Sequence, residues 1–272
     1  MIKRLTTFGF AVAMAIFAAT PALSGQDDTF QWTQRMTSGQ VLEVKGISGR
    51  ISVVPASGDV AEVVARKTGR SGDLGEVAVE VAQAGDRIVI CAVYGSWSHG
   101  QDRCHPDRPD RAERASREER NRSINVSVEY EVRVPSNVRF EGNMISGRIE
   151  AEGLASDVSA STVSGPIRLS TSGRARASSV SGSLDVQMGS QATDDLQFRT
   201  VSGSIILRLP QSFNAELDFS SVSGHLDSDL DMTVRRMGGW VGSKVRGTIG
   251  RGGPELSLNT VSGDVRLVRV QG

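Results

Sequence analysis

Residues 200–207 read Thr200-Val201-Ser202-Gly203-Ser204-Ile205-Ile206-Leu207, and the phrase recurs along the chain. Its tripeptide returns as Ile47-Ser48-Gly49, Ile145-Ser146-Gly147, Val163-Ser164-Gly165, Val180-Ser181-Gly182, Val201-Ser202-Gly203, Val222-Ser223-Gly224 and Val261-Ser262-Gly263. From the second copy onward the glycines lie 18, 17, 21, 21 and 39 residues apart. The last interval reads as two repeats, one of which has lost its motif. Alternation follows each copy. Val201, Gly203, Ile205 and Leu207 share one phase, as do Val180, Gly182, Leu184 and Val186, and Val261, Gly263, Val265 and Leu267. Period-two alternation marks a strand with one buried face. Glycine in the inward phase marks a bend where a side chain would collide or φ must be positive.

A strand-bend-strand unit every 17–21 residues, with no helical periodicity between copies, predicts an all-β protein. The expected architecture is a β-solenoid, a β-helix-like stack of short strands over residues 141–270. A β-sandwich with evenly spaced hairpins is the alternative, although its turns need not share a tripeptide. In the solenoid, Val180, Leu184, Val201, Ile205, Val261 and Val265 form one buried column. Seven coils would stack to roughly 30 Å.

Residues 40–140 read as an N-terminal β region continuous with that stack. Ile124, Val126, Val128, Tyr130, Val132 and Val134 alternate with polar residues until Pro135 stops the strand. Arg87–Tyr94 is a second strand, and Val77, Val79 and Val81 suggest a third. Between them lies a charged insertion at 95–122. From Asp102 to Arg122 it holds seven arginines, six acidic residues and two prolines. Mixed charge without an apolar face does not offset the entropy of ordering. A mobile loop is expected, with a short helix at 110–120 its one candidate element.

The ends and the composition set the compartment. Lys3 and Arg4, the apolar run Phe8–Ala19 and small residues at Ala22-Leu23-Ser24 read as a signal peptide over 1–24. That run is too short to span a bilayer. Residues 25–39 read as a flexible lead-in. The chain beyond residue 24 holds 29 Lys and Arg against 31 Asp and Glu. A near-neutral chain without a clustered positive field gives no argument for a nucleic-acid partner. Few aromatics and 30 glycines fit a thin aliphatic core better than a compact α/β enzyme.

The repeated Thr-Val-Ser-Gly units resemble the bacterial putative-adhesin family with β-strand repeats, the DUF4097 domain. The matching pieces are Val132-Arg133-Val134-Pro135, then 143–149, 162–169, 179–186, 200–207 and 256–267. Asn259-Thr260-Val261-Ser262-Gly263-Asp264-Val265 is the nearest copy. The resemblance spans about residues 40–270 and implies an envelope-associated β-solenoid with no shared catalytic residues. The arginine-rich insertion and its cysteines depart from that pattern.

Cys91 and Cys104 are the only cysteines. In an exported chain they are expected to form one disulfide closing the base of the insertion. A metal set of Cys91, Cys104, His99 and His105 is the alternative, at a spacing that matches no common zinc pattern. No catalytic residue, cofactor or metal is expected. Asp185, Asp227 and Asp264 could line a face, but Arg168, Arg208 and Arg266 occupy similar slots. A mixed-charge solvated surface results. The remaining candidate is a hydroxyl face in which Thr162/Ser164, Ser179/Ser181, Thr200/Ser202, Ser221/Ser223 and Thr260/Ser262 point outward as two ladders. The plainer account is that these hydroxyls cap bends beside glycine. Trp32, Trp97 and Trp240 are isolated loop candidates for contact.

The expected function is that of an exported, non-catalytic cell-envelope protein, periplasmic, surface-bound or secreted. It would act through its surface as an adhesin or envelope-stress accessory, on an envelope protein or a glycan. Alternatives are a carbohydrate-active β-helix lyase or hydrolase, and an ice- or glycan-binding hydroxyl face.

Overall fold

The computed structural model describes residues 28–69, 73–94, 104, 125–238 and 243–270. The segment 1–24, most of the charged insertion with His99, His105 and Trp97, and Trp240 lie outside the described residues. The chain opens with β1 (Thr29–Arg35), β2 (Val41–Pro55), β3 (Val60–Gly69), β4 (Val77–Ala84), β5 (Arg87–Tyr94) and β6 (Val126–Val134). The regular part follows as β7 (Arg139–Leu154), β8 (Val158–Ser164), β9 (Ile167–Thr171), β10 (Ala175–Ser181), β11 (Leu184–Met188), β12 (Leu196–Ser202) and β13 (Ile205–Pro210). It closes with β14 (Ala215–Ser223), β15 (Leu226–Ser228), β16 (Met232–Gly238), β17 (Ser243–Ile249), β18 (Glu255–Ser262) and β19 (Val265–Val270).

Each rung is a strand, a corner at the Val-Ser-Gly motif, and a second strand in a facing sheet. Successive rungs stack parallel and in register. Ser164 pairs with Ser181 and Ser181 with Ser202 on one sheet, while Ile149, Ile167, Leu184 and Ile205 line up on the other. This is the expected β-solenoid, flattened to two sheets. β2 and β7 each run through the corner unbroken and pair from Val41↔Arg139 to Val53↔Ala151. The copy at Ile47 is therefore a rung of the same stack. Of the seven rungs, six rather than seven come from residues 139–270.

The rungs do not stack in chain order. After β15 the chain folds out as the antiparallel pair β16–β17, and β17 lies against β14 from Ala215↔Ile249 to Ser221↔Ser243. It then returns and inserts its last rung between two earlier ones. β18 pairs with β12 on one side and β14 on the other, through Ser202↔Ser262 and Ser223↔Ser262. β19 likewise lies between β13 and β15, through Ile205↔Val265 and Leu226↔Val265. The corner glycines thus run Gly49, Gly147, Gly165, Gly182, Gly203, Gly263, Gly224. The 39-residue interval is not a worn-down repeat but a hairpin excursion.

At the opposite end both sheets continue. β5 runs parallel to the first half of β2, with β4 antiparallel beyond it. β6 runs parallel to the second half, followed by antiparallel β3 and β1. The lead-in expected to be flexible over 25–39 is thus a strand at 29–35, because Phe30 and Trp32 face inward and pack on the core. Trp32 is a core-packing residue, not a loop contact.

The core lies between the sheets. Phe140, Ile149, Ile167, Leu184, Phe198, Ile205, Leu258 and Val265 are fully buried. The expected column is only half right: Val180, Val201 and Val261 are 49, 46 and 46% exposed. At the corner two consecutive residues, valine and serine, both face solvent, so inside and outside exchange parity between the two strands. Glycine follows because the rungs touch there. A Cβ on Gly165, Gly203 or Gly263 would land on the carbonyl oxygen of Gly147, Gly182 or Gly203, and their φ values are +137, +150 and +151°. No L side chain fits that space or that backbone.

Candidate contact surface

The parity change redistributes the ten candidate hydroxyls. Thr162, Ser179, Thr200, Ser221 and Thr260 are buried, at 3–7% exposure, and do not point outward. The alternation of the incoming strand puts them inside: Leu196, Phe198 and Thr200 share a face, as do Leu256, Leu258 and Thr260. Three of the five hydroxyls stitch the corner. Thr162 Oγ1 donates to the Gly165 carbonyl at 2.9 Å and is hydrogen-bonded to the Ser179 hydroxyl at 3.0 Å, and Thr200 Oγ1 donates to the Gly182 carbonyl at 3.1 Å. For Thr162, Ser179 and Thr200 these bonds fit the bend-capping account, whereas Ser221 Oγ and Thr260 Oγ1 are buried without a hydrogen-bond partner among the described residues. Ser164, Ser181, Ser202, Ser223 and Ser262 are exposed as expected.

What replaces the buried hydroxyls outside is aliphatic. In stack order Ile145, Val163, Val180, Val201, Val261 and Val222 stand 46–56% exposed. They form a ridge along one edge of the solenoid, with a serine beside each. On its other flank lie Asn143, Ser161, Ser178, Arg199, Asn259 and Ser220, two residues before each aliphatic. Arg199 is the only charge in this three-column strip. Between the flank and the ridge is a shallow open depression of about 420 Å³, lined by Arg199, Val201, Ser220, Val222, Asn259 and Val261 among others.

Charge sits elsewhere. On the second sheet Asp185 pairs with Arg208, and Asp227 lies 3.7 Å from Arg266. Asp264 lies 3.5 Å from His225, which is 93% exposed. The acids that could have lined a face are thus interleaved with bases. Near the N-terminal end the buried Glu43 accepts from Arg87 Nη1 at 2.9 Å and Asn143 Nδ2 at 3.0 Å, with Lys45 Nζ at 3.1 Å. Arg87 also bonds Glu141, and these carboxylates raise the guanidinium pKa further above its ordinary value. The network joins β5, β2 and β7. Among the described residues no three His, Cys, Asp or Glu side chains gather to hold a metal ion.

Cys91 and Cys104 are joined by a disulfide, with Cα atoms 5.9 Å apart. Cys91 faces away from the main core. With Val89, Val93 and Cys104 it builds a second buried cluster on the outer side of β5. No described helix is long and apolar enough to cross a membrane.

The architecture is that of a two-sided parallel β-solenoid whose repeat is its own corner. The Toastrack DUF4097 family model matches residues 114–268, more than half of the chain, and the protein belongs to that family. No curated protein matches the chain. Among solved structures, a putative cell adhesion protein from Clostridium sporogenes is similar at 6% identity and a TM-score of 0.45, covering 89% of this chain and 100% of that one. A putative adhesin from Bacteroides fragilis aligns at 9% identity and a TM-score of 0.35, covering 89 and 97%. Another from Parabacteroides distasonis aligns at 8% and 0.22, covering 90 and 98%.

Proposed function

We propose that the protein is an exported, non-catalytic cell-envelope protein that works by surface contact, in the manner of an adhesin, through the aliphatic corner strip. The observation that carries this reading is the register of the strip: six half-exposed Val or Ile residues, one per rung, each beside an exposed serine. An ordered row of apolar groups held in water marks a contact site more often than scattered surface aliphatics do. Each rung contributes a small, similar increment, roughly 25 cal/mol per Å² covered. Such a surface favours a long partner that touches several rungs, an envelope protein or a glycan. With one charge along its length, it works by apolar cover and hydroxyl hydrogen bonds rather than by electrostatic attraction.

The test is co-sedimentation with isolated bacterial envelopes. Replacing Val163, Val201 and Val261 together with Asp should abolish binding and leave the melting midpoint within a few degrees, because these side chains support no core. Retention of the triple variant at wild-type level would sink the strip. Turnover of a glycan by the purified wild type would sink the non-catalytic reading. Thr162, Thr200 and Thr260 are unsuitable targets, since charge there is buried.

A further inference from the structure

The inserted last rung has a consequence for how two copies of this chain can meet. Among the described residues, β18 and β19 make their ladders only with β12, β14, β13 and β15, elements far away in sequence. They share no ladder with β17, the strand that precedes them. The link from β17 is Gly250-Arg251-Gly252-Gly253-Pro254, with Gly250, Gly252 and Gly253 at φ +60, +76 and +153°. It crosses the end of β14, where Asn214 Oδ1 accepts from the Arg251 amide at 2.8 Å. Without residues 255–270, the edges of β12–β13 and β14–β15 would face each other across a slot one strand wide.

The geometry points to this slot as an interaction surface whose fitting partner is residues 255–270 of a second copy of this chain. Parallel ladders on both sides specify the register, so an exchanged segment makes the same hydrogen bonds and buries the same Leu256, Leu258, Val265 and Leu267. The difference between closed monomer and exchanged dimer then rests on the glycine link alone, the circumstance in which strand exchange is a low-cost route to dimers. A short flexible tether gives its own segment an effective concentration on the order of millimolar. The closed monomer therefore dominates in dilute solution, and exchange follows when chains fold together at high concentration or when the link is too short to cross β14. In the exchanged dimer Val261 and Ser262 of the corner strip come from the partner copy.

The test uses full-length chains carrying single cysteines besides the native disulfide. A Ser202→Cys chain and a Ser262→Cys chain are unfolded, mixed in equal amounts, refolded together at high concentration and oxidised. These positions are direct register partners, and adjacent strands place Cα atoms at a distance a disulfide accepts. The control mixes Ser164→Cys with Ser262→Cys, both exposed in the same column but not adjacent. Crosslinked heterodimer from the first pair should exceed the control by at least about tenfold, and deleting Gly252 and Gly253 should raise it further. Equal crosslinking in both pairs, which reports surface collision, would overturn the proposal. So would an absence of crosslinked heterodimer in every mixture, the shortened link included.

Discussion

At the N-terminal end of the stack both sheets run on into antiparallel strands, finishing at the seven-residue β1 and the eight-residue β4, and a disulfide holds a second cluster over β5. At the other end, among the described residues, only one sheet is extended, by β17 and β16, while the other stops at the three-residue β15. The first end is closed by adding material outside the last rung. The second is closed from within, by a rung that arrives last in the chain and sits next to last in the stack. Both limit the exposed edge that would recruit other chains, but they place the risk differently. Removing the outermost strand at the first end bares one edge; removing the final segment at the second opens the interior.

The largest expected effect follows from that contrast. Truncation after Pro254 should prevent folding, seen as loss of the cooperative melt and of soluble yield, whereas removal of residues up to Arg35 should leave a folded stack with a lower midpoint. Equal outcomes would erase the distinction between the ends. Gly263→Ala comes next. Its methyl group would meet the Gly203 carbonyl, a backbone atom fixed by ladders on both sides. A loss of about 3–5 kcal/mol in denaturant melts is expected. Gly58→Ala, at φ +108° with nothing within 4 Å, should cost about 1 kcal/mol. At the N-terminal end, replacing both Cys91 and Cys104 with Ser should cost about 3 kcal/mol on the chain-entropy account of a loop this size, and non-reduced peptide mapping of the native chain should show the linkage.

Both tyrosines report on the N-terminal end. Burial, with the nearby Tyr94 adding to it, lifts the Tyr130 phenol far above its ordinary value, and burial also lifts Tyr94. The unfolded chain releases these protons near the ordinary 10.0 while the folded chain keeps them, so their contribution is whole below that pH and is lost above it. Tyrosinate absorbance should therefore appear together with unfolding, not before it. Titration of either phenol in the folded protein near its ordinary value would show that end to be open to water. The smallest effect belongs to the ridge: Val201→Ala should change stability by no more than about 0.5 kcal/mol, despite sitting in the most repeated phrase of the chain.

How far these features could be read in advance differs from one to the next. The rung period, the parallel stack, the strand at Arg87–Tyr94 and the end of the following strand at Val134 follow from spacing and alternation, which are local. The residues after each glycine define an inward phase that, continued back through the glycine, puts Val201 inside. The incoming strand says otherwise. Leu196, Phe198 and Thr200 fix one face, and so do Leu217, Phe219 and Ser221, leaving the valine outside. That signal was present, and the corner breaks the parity that joins its two halves. The insertion of β18–β19 between older rungs had no local signal, because every copy of the motif offers its neighbours the same hydrogen bonds and nearly the same side chains. The β1 strand carries no repeat to mark it, although Phe30 and Trp32 alternate with polar residues. The corner strip is legible only once the threonine or serine before each valine is placed inside.

The interposed rung also bears on how the length of this protein can change through descent. Between Gly147 and Gly203 each rung has its chain neighbours as its stack neighbours, so duplicating one unit of 17–21 residues only moves everything beyond it by one strand spacing, about 4.8 Å. Beyond Gly203 that freedom ends. A unit added after Val222 or before Val261 must find a place in a slot already one strand wide, with ladders specified on both faces. Growth and loss of repeats among descendants should therefore concentrate in the middle of the chain, with the C-terminal arrangement inherited whole.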